Sequence, residues 1–109
     1  MSELDKMLGA RYTYHIRKVG RFEEGDLTID TCKVTDDKNF PYETAVSHPY
    51  YNNGEWVVAE QYKTKEEAQE GHNKWIKIFK AGFPNAIPKK AVGFLKLIKD
   101  DTTIKKEEK

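Results

Sequence analysis

Hydrophobic and polar positions along the chain change period twice, and these changes mark its elements. From Arg11 to Val19 the period is two: Tyr12, Tyr14 and Ile16 alternate with Thr13, His15 and Arg17. That alternation of aromatic and β-branched residues predicts a half-buried strand. Gly20–Gly25 reads as a turn. From Asp26 to Val34, Leu27, Ile29 and Thr31 alternate with Thr28, Asp30 and Cys32, a second strand. The polar run Thr35–Asn39 is a turn, and Pro41 opens a third strand, Tyr42–His48. Asn53–Gly54 is a tight-turn signal because both residues tolerate positive φ, and it precedes a fourth strand, Glu55–Tyr62. Such short connections make an antiparallel meander.

The period then lengthens. Ala68, His72, Trp75, Ile76 and Phe79 share one face at helical spacing. Thr64 with Glu67 three residues on forms a capping box, and Gly82 followed by Pro84 ends the helix. Beyond it, Pro88 opens a shorter helical pattern, with Ala91, Phe94, Leu95 and Ile98 in step and Gly93 interrupting. Leu4, Met7 and Leu8 allow one helical turn in a weakly patterned 1–10 segment. The expected architecture is α+β: a four-stranded antiparallel β-meander, one amphipathic helix packed across it and a short C-terminal helix. The expected core is Tyr14, Ile16, Leu27, Ile29, Thr44, Val46, Val58, Ala68, Trp75 and Phe79.

Composition narrows the picture. The 109 residues make one domain, divided into the 1–10 segment, sheet plus helix over 11–82, a helical extension over 83–99 and a charged tail over 100–109. Aromatics at 12% are too many for a disordered chain. Cys32 is the only cysteine, so no internal disulfide or cysteine-rich zinc site forms, and a reducing, cytoplasmic setting is expected. Cys32 itself reads as a structural thiol. No stretch reaches the ~18 apolar residues of a membrane helix, and the N-terminus lacks a secretory pattern.

Charge is polarised. Asp26–Glu70 holds ten acids against four bases, whereas Gly71–Lys99 holds seven lysines and no acid. The candidate basic surface is Lys74, Lys77, Lys80, Lys89 and Lys90. Without arginine it lacks bidentate readout, so any nucleic-acid binding there is non-specific. Tyr50, Tyr51, Asn53 and Trp56 cluster at a hairpin tip and form a candidate contact surface. Glu43 and His72 are the candidate polar anchor or pocket: a histidine beside a carboxylate suits proton transfer, or simply ties helix to sheet. The three histidines lack metal-site spacing, so no metal or cofactor is assigned.

Tyr42-Glu43-Thr44 and Glu67-Ala68 followed by Gly71-His72 carry a resemblance. The chain resembles a group of small bacteriophage and prophage proteins with a Tyr/Trp-Glu-Thr strand and a helix entered by Glu-Ala-x-x-Gly-His. The match covers about residues 11–80. It implies a phage-type accessory protein and carries over no activity or site roles. The leading expectation is therefore a non-enzymatic protein that binds a host or phage macromolecule in the cytoplasm, for example as an inhibitor of a host defence enzyme. The alternatives are non-specific nucleic-acid binding through the lysines, and a small-molecule binder or enzyme at Glu43 and His72. An exposed edge strand with opposite charges at the two ends also allows a homodimer.

Overall fold

The computed structural model describes residues 17–34, 38–92 and 103–107. It is α+β. Strands β1 (Lys18–Glu24), β2 (Leu27–Lys33), β3 (Tyr42–Ser47) and β4 (Val57–Tyr62) pair in chain order, all antiparallel. Helix α1 (Lys65–Ala81) crosses one face of this sheet. Three short strands follow: β5 (Ala86–Pro88), β6 (Ala91–Val92) and β7 (Thr103–Lys105). β6 extends the sheet by lying parallel to β4, and β5 pairs with β7 in a separate two-stranded ribbon.

The meander and the helix follow the sequence pattern. Leu27, Ile29, Thr31, Thr44 and Val46 are buried on the helix side. The helix buries Ala68, His72, Trp75 and Phe79, as their spacing requires. Thr64 caps it by accepting from the Glu67 amide at 3.1 Å. The return bond of the capping box goes one residue upstream: the Lys63 amide donates to Glu67 Oε2 at 3.3 Å. Asn53 and Gly54 take φ of 55° and 86°, and Asn52 joins them at 51°, so the tip is a left-handed turn.

Several expectations are corrected. Gly20–Glu24 is strand, not turn. The turn is Gly25–Asp26, with Gly25 at φ 59° in the first central position of a two-residue hairpin. Gly20 is needed inside β1 because a Cβ there would lie 2.6 Å from His72 Nε2. The alternation over 11–16, including Tyr14 and Ile16, lies outside the described residues, as does the 1–10 segment. Pro88 closes a strand instead of opening a helix, and Ala91 joins β6. Phe94, Leu95 and Ile98 lie outside the described residues. Part of the charged tail is strand: β7 pairs with β5, and the Glu107 amide donates to the Tyr50 carbonyl at 2.6 Å. Backbone bonding sets these last pairings, and side-chain pattern does not report it.

The fourth strand differs in phase. Thr44 faces Glu60 and Ala45 faces Val58, so Ala59 is an extra residue on β4, a β-bulge. Thr44 and Val46 share the helix side, and so do their partners Glu60 and Val57. The bulge thus turns Glu60 inward, 4% exposed, and Val58, an expected core residue, is only partly buried.

Candidate functional site

The Glu43–His72 pair is not assembled. Glu43 sits opposite Cys32 and Gln61, one residue from helix-side Thr44, and therefore projects from the other face of the sheet. His72 lies on the helix side, where its Nδ1 is 2.7 Å from Thr31 Oγ1. Sequence reasoning missed the carboxylate that does lie under the helix, Glu60, because only the bulge brings it there.

Glu60 anchors a buried polar seam across three strands. Its Oε1 accepts from the Tyr62 hydroxyl at 2.8 Å, the Trp75 indole at 3.0 Å and Lys74 Nζ at 2.6 Å. Thr44 Oγ1 lies 3.0 Å from the Tyr62 oxygen, and Thr31 Oγ1 2.6 Å from Thr44 Oγ1. Each hydroxyl has one proton, so the Glu60 carboxylate fixes the direction of the whole chain. Tyr62 donates to Glu60, Thr44 to Tyr62, and Thr31 to Thr44. His72 then donates from Nδ1 to Thr31, which leaves Nε2 as its unprotonated nitrogen. Burial holds His72 below the usual histidine range, with Asp30 partly opposing, and pushes the Tyr62 hydroxyl up. Every member has a partner, so the seam ties helix to sheet and fixes strand register. Among the described residues no three His, Cys, Asp or Glu side chains converge as a metal site would require.

The other candidates separate. Tyr51 is not on a contact surface: it is fully buried in the core, and its hydroxyl donates to the Pro84 carbonyl. Tyr50 is partly buried, edge-on to His48 and Phe83, with Lys106 Nζ 5.7 Å from its ring centre. Asn53 remains exposed in the left-handed turn. Lys74 is bound to both Glu60 oxygens, and Lys80 lies over the Phe22 ring at 5.5 Å. Lys77 is exposed.

Trp56, Lys89 and Lys90 come together instead. They line an open groove of about 350 Å³ with Asn52, Val57, Val58 and Ile104. Trp56 is 49% exposed and is the one exposed large hydrophobic side chain among the described residues. The Lys90 amide donates to the Val58 carbonyl at 2.7 Å, and Lys90 itself takes φ 48°. Asn52, Asn53 and Lys90 are the three non-glycine residues with positive φ among the described residues. Two of them line the groove and the third adjoins it. Asparagine enters this region readily; lysine does not, and left-handed backbone costs about 1–2 kcal/mol.

Comparison with protein-family models, with curated proteins and with solved structures finds no match. No helix among the described residues is long and apolar enough to cross a membrane.

Proposed function

We propose that this is a small accessory protein of the phage type that acts by binding another protein, through the face built on Trp56, Lys89 and Lys90. One observation carries the reading: a large aromatic side chain stands half exposed over an apolar groove whose rim bears two lysines. Exposed aromatics beside a pocket are the usual energetic centres of protein contacts. Three of the other candidates have internal duties. Tyr51 is core, Lys74 neutralises Glu60, and His72 is tied to Thr31. An inhibitor or modulator of a host enzyme is the concrete version, with the groove as its contact face.

The test is capture from a bacterial lysate by the immobilised full chain, in parallel with its Trp56→Ala variant. A stoichiometric protein retained by the first and lost from the second supports the reading. No stoichiometric partner, or one indifferent to Trp56→Ala, overturns it. Retention that disappears after nuclease treatment would favour nucleic acid.

A further inference from the structure

We infer that the Trp56 groove seats an acidic protein segment that carries one bulky apolar side chain, with carboxylates flanking it. The inference rests on the protein-binding reading above and names the chemistry of the partner. Three features of the groove set that chemistry. Its lining is mostly carbon, from Trp56, Val57, Val58 and Ile104, and besides the lysines the polar side-chain groups are the indole N–H and the Asn52 amide. Its rim carries Lys89 and Lys90, and no acid lines it. Its volume, about 350 Å³, is at the small end of ligand pockets and suits one large side chain.

A nucleotide meets the lysines equally well but not the floor. A base has polar edges around its whole perimeter, and seating it against valine and isoleucine strips those edges of water with one side-chain amide, Asn52, to replace it. A phenylalanine or leucine side chain loses nothing there. A short acidic segment needs only the two rim lysines.

The backbone at Lys90 lets its charge be tested apart from its conformation. Glycine is the residue suited to φ 48°, yet a lysine stands there, on the groove rim. Replacing Lys90 by glycine therefore removes its charge from the groove while suiting the backbone conformation better.

The experiment is a titration of the isotope-labelled full chain with blocked peptides, followed by nuclear magnetic resonance. The probe is Glu-Asp-Phe-Asp-Glu; the controls are Gln-Asn-Phe-Asn-Gln and Glu-Asp-Gly-Asp-Glu. The two indole N–H signals give an internal reference, because Trp75 donates to buried Glu60 whereas Trp56 is in the groove. Saturable shifts at Trp56, Val58 and Ile104 with Trp75 unmoved are expected. Each control peptide should bind at least about tenfold more weakly, and so should the variant Lys89→Glu/Lys90→Glu with the probe. Lys90→Gly should weaken binding several-fold while its urea midpoint holds or rises, which a merely structural lysine would not do. Lys77→Glu should change affinity less than twofold. Shifts spread over the helix lysines, equal loss on Lys77→Glu, or oligothymidylate displacing the peptide at lower concentration would each overturn the inference. If the peptides fail but Trp56-dependent protein capture persists, the acidic chemistry is wrong and the protein-binding reading stands; failure of both removes both.

Discussion

Gly71→Ala pits two opposing effects against each other at one position. Gly71 lies in the middle of α1, where alanine is the better helix former by about 1 kcal/mol. Propensity alone therefore predicts stabilisation. The tertiary setting predicts the reverse. A Cβ at Gly71 would overlap the phenol end of Tyr62, at its hydroxyl oxygen and two adjoining ring carbons. Tyr62 is 4% exposed, and its hydroxyl sits between Thr44 and Glu60. It cannot swing to solvent as a lysine tip would.

Overpacking of this kind costs about 1–3 kcal/mol before any hydrogen bond is lost. Displacing the ring also weakens its bond to the Glu60 carboxylate, worth about 1.5–3 kcal/mol, and its bond from Thr44, worth about 1. Set against the propensity gain, the net loss is about 2–4 kcal/mol. That is a large share of the ~5–15 kcal/mol total of a small domain and corresponds to a fall in Tm of roughly 10–25 °C. Urea unfolding should show a lower midpoint at unchanged slope. Asn73→Ala, exposed on the same helix, isolates the propensity gain and should be neutral or stabilising. In a Tyr62→Val background the ring is gone, so Gly71→Ala should become neutral or favourable. If Gly71→Ala stabilises the wild type, or costs the same in both backgrounds, the close approach of α1 to Tyr62 is wrong.

Three further outcomes follow from the seam and its surroundings. Glu60→Ala strands the Tyr62 hydroxyl and the Trp75 indole without an acceptor and should cost about 2–5 kcal/mol; Lys74→Met, which removes a half-exposed partner and leaves two donors on the carboxylate, should cost clearly less, and urea midpoints of the two variants will rank them. His72 and His48 are both held below their unfolded value of 6.5, so the unfolded chain binds more protons and stability should fall as pH drops below about 6.5, levelling once each folded-state pKa is passed; His72→Gln should remove one proton of that dependence in midpoints measured from pH 8 to 5. Burial, then Asp30 and Glu43, push the Cys32 thiol up, so iodoacetamide should label the folded protein at neutral pH far more slowly than the unfolded chain, and a thiol that reacts equally fast in both would contradict this.

The sequence pattern reports side-chain periodicity, and it succeeded where periodicity decided the structure. Leu27, Ile29 and Thr31, Thr44 and Val46, and Ala68, His72, Trp75 and Phe79 of the helix stripe bury as spacing requires, with Ile76 partly buried. It failed at Gly20, whose missing Cβ is a requirement of His72, fifty-two residues later in the chain and invisible locally. It failed again at β5, β6 and β7, short strands of two or three residues held by backbone bonds, too brief for any period to register. Of the candidate site, Trp56, Lys89 and Lys90 stood out as residue types, but the aromatic tip and the lysines were read as separate surfaces. Nothing in the chain announces that β5 returns Lys89 and Lys90 to the start of β4.

The bulge at Ala59 explains both the missed carboxylate and the position of the groove. In an unbroken strand, Val57, Ala59 and Gln61 would face α1 and Glu60 would face away. The extra residue resets the phase, so Val57 still packs inward while Glu60 and Tyr62 enter the seam opposite Thr44. β4 therefore divides at Ala59. Its second half is scaffold, bound to Lys74, Trp75 and Thr44, where substitution costs stability. Its first half, with Trp56 just before it, borders the groove, and there Val58 uses its carbonyl to hold Lys90. Because no seam residue lines the groove, Lys89→Glu/Lys90→Glu should leave the unfolding free energy within about 0.5 kcal/mol of wild type, the range of surface changes away from buried networks, and Trp56→Ala should lose only the packing of its half-buried ring while the urea transition stays cooperative. A loss of binding in those variants is then attributable to the contact face and not to unfolding.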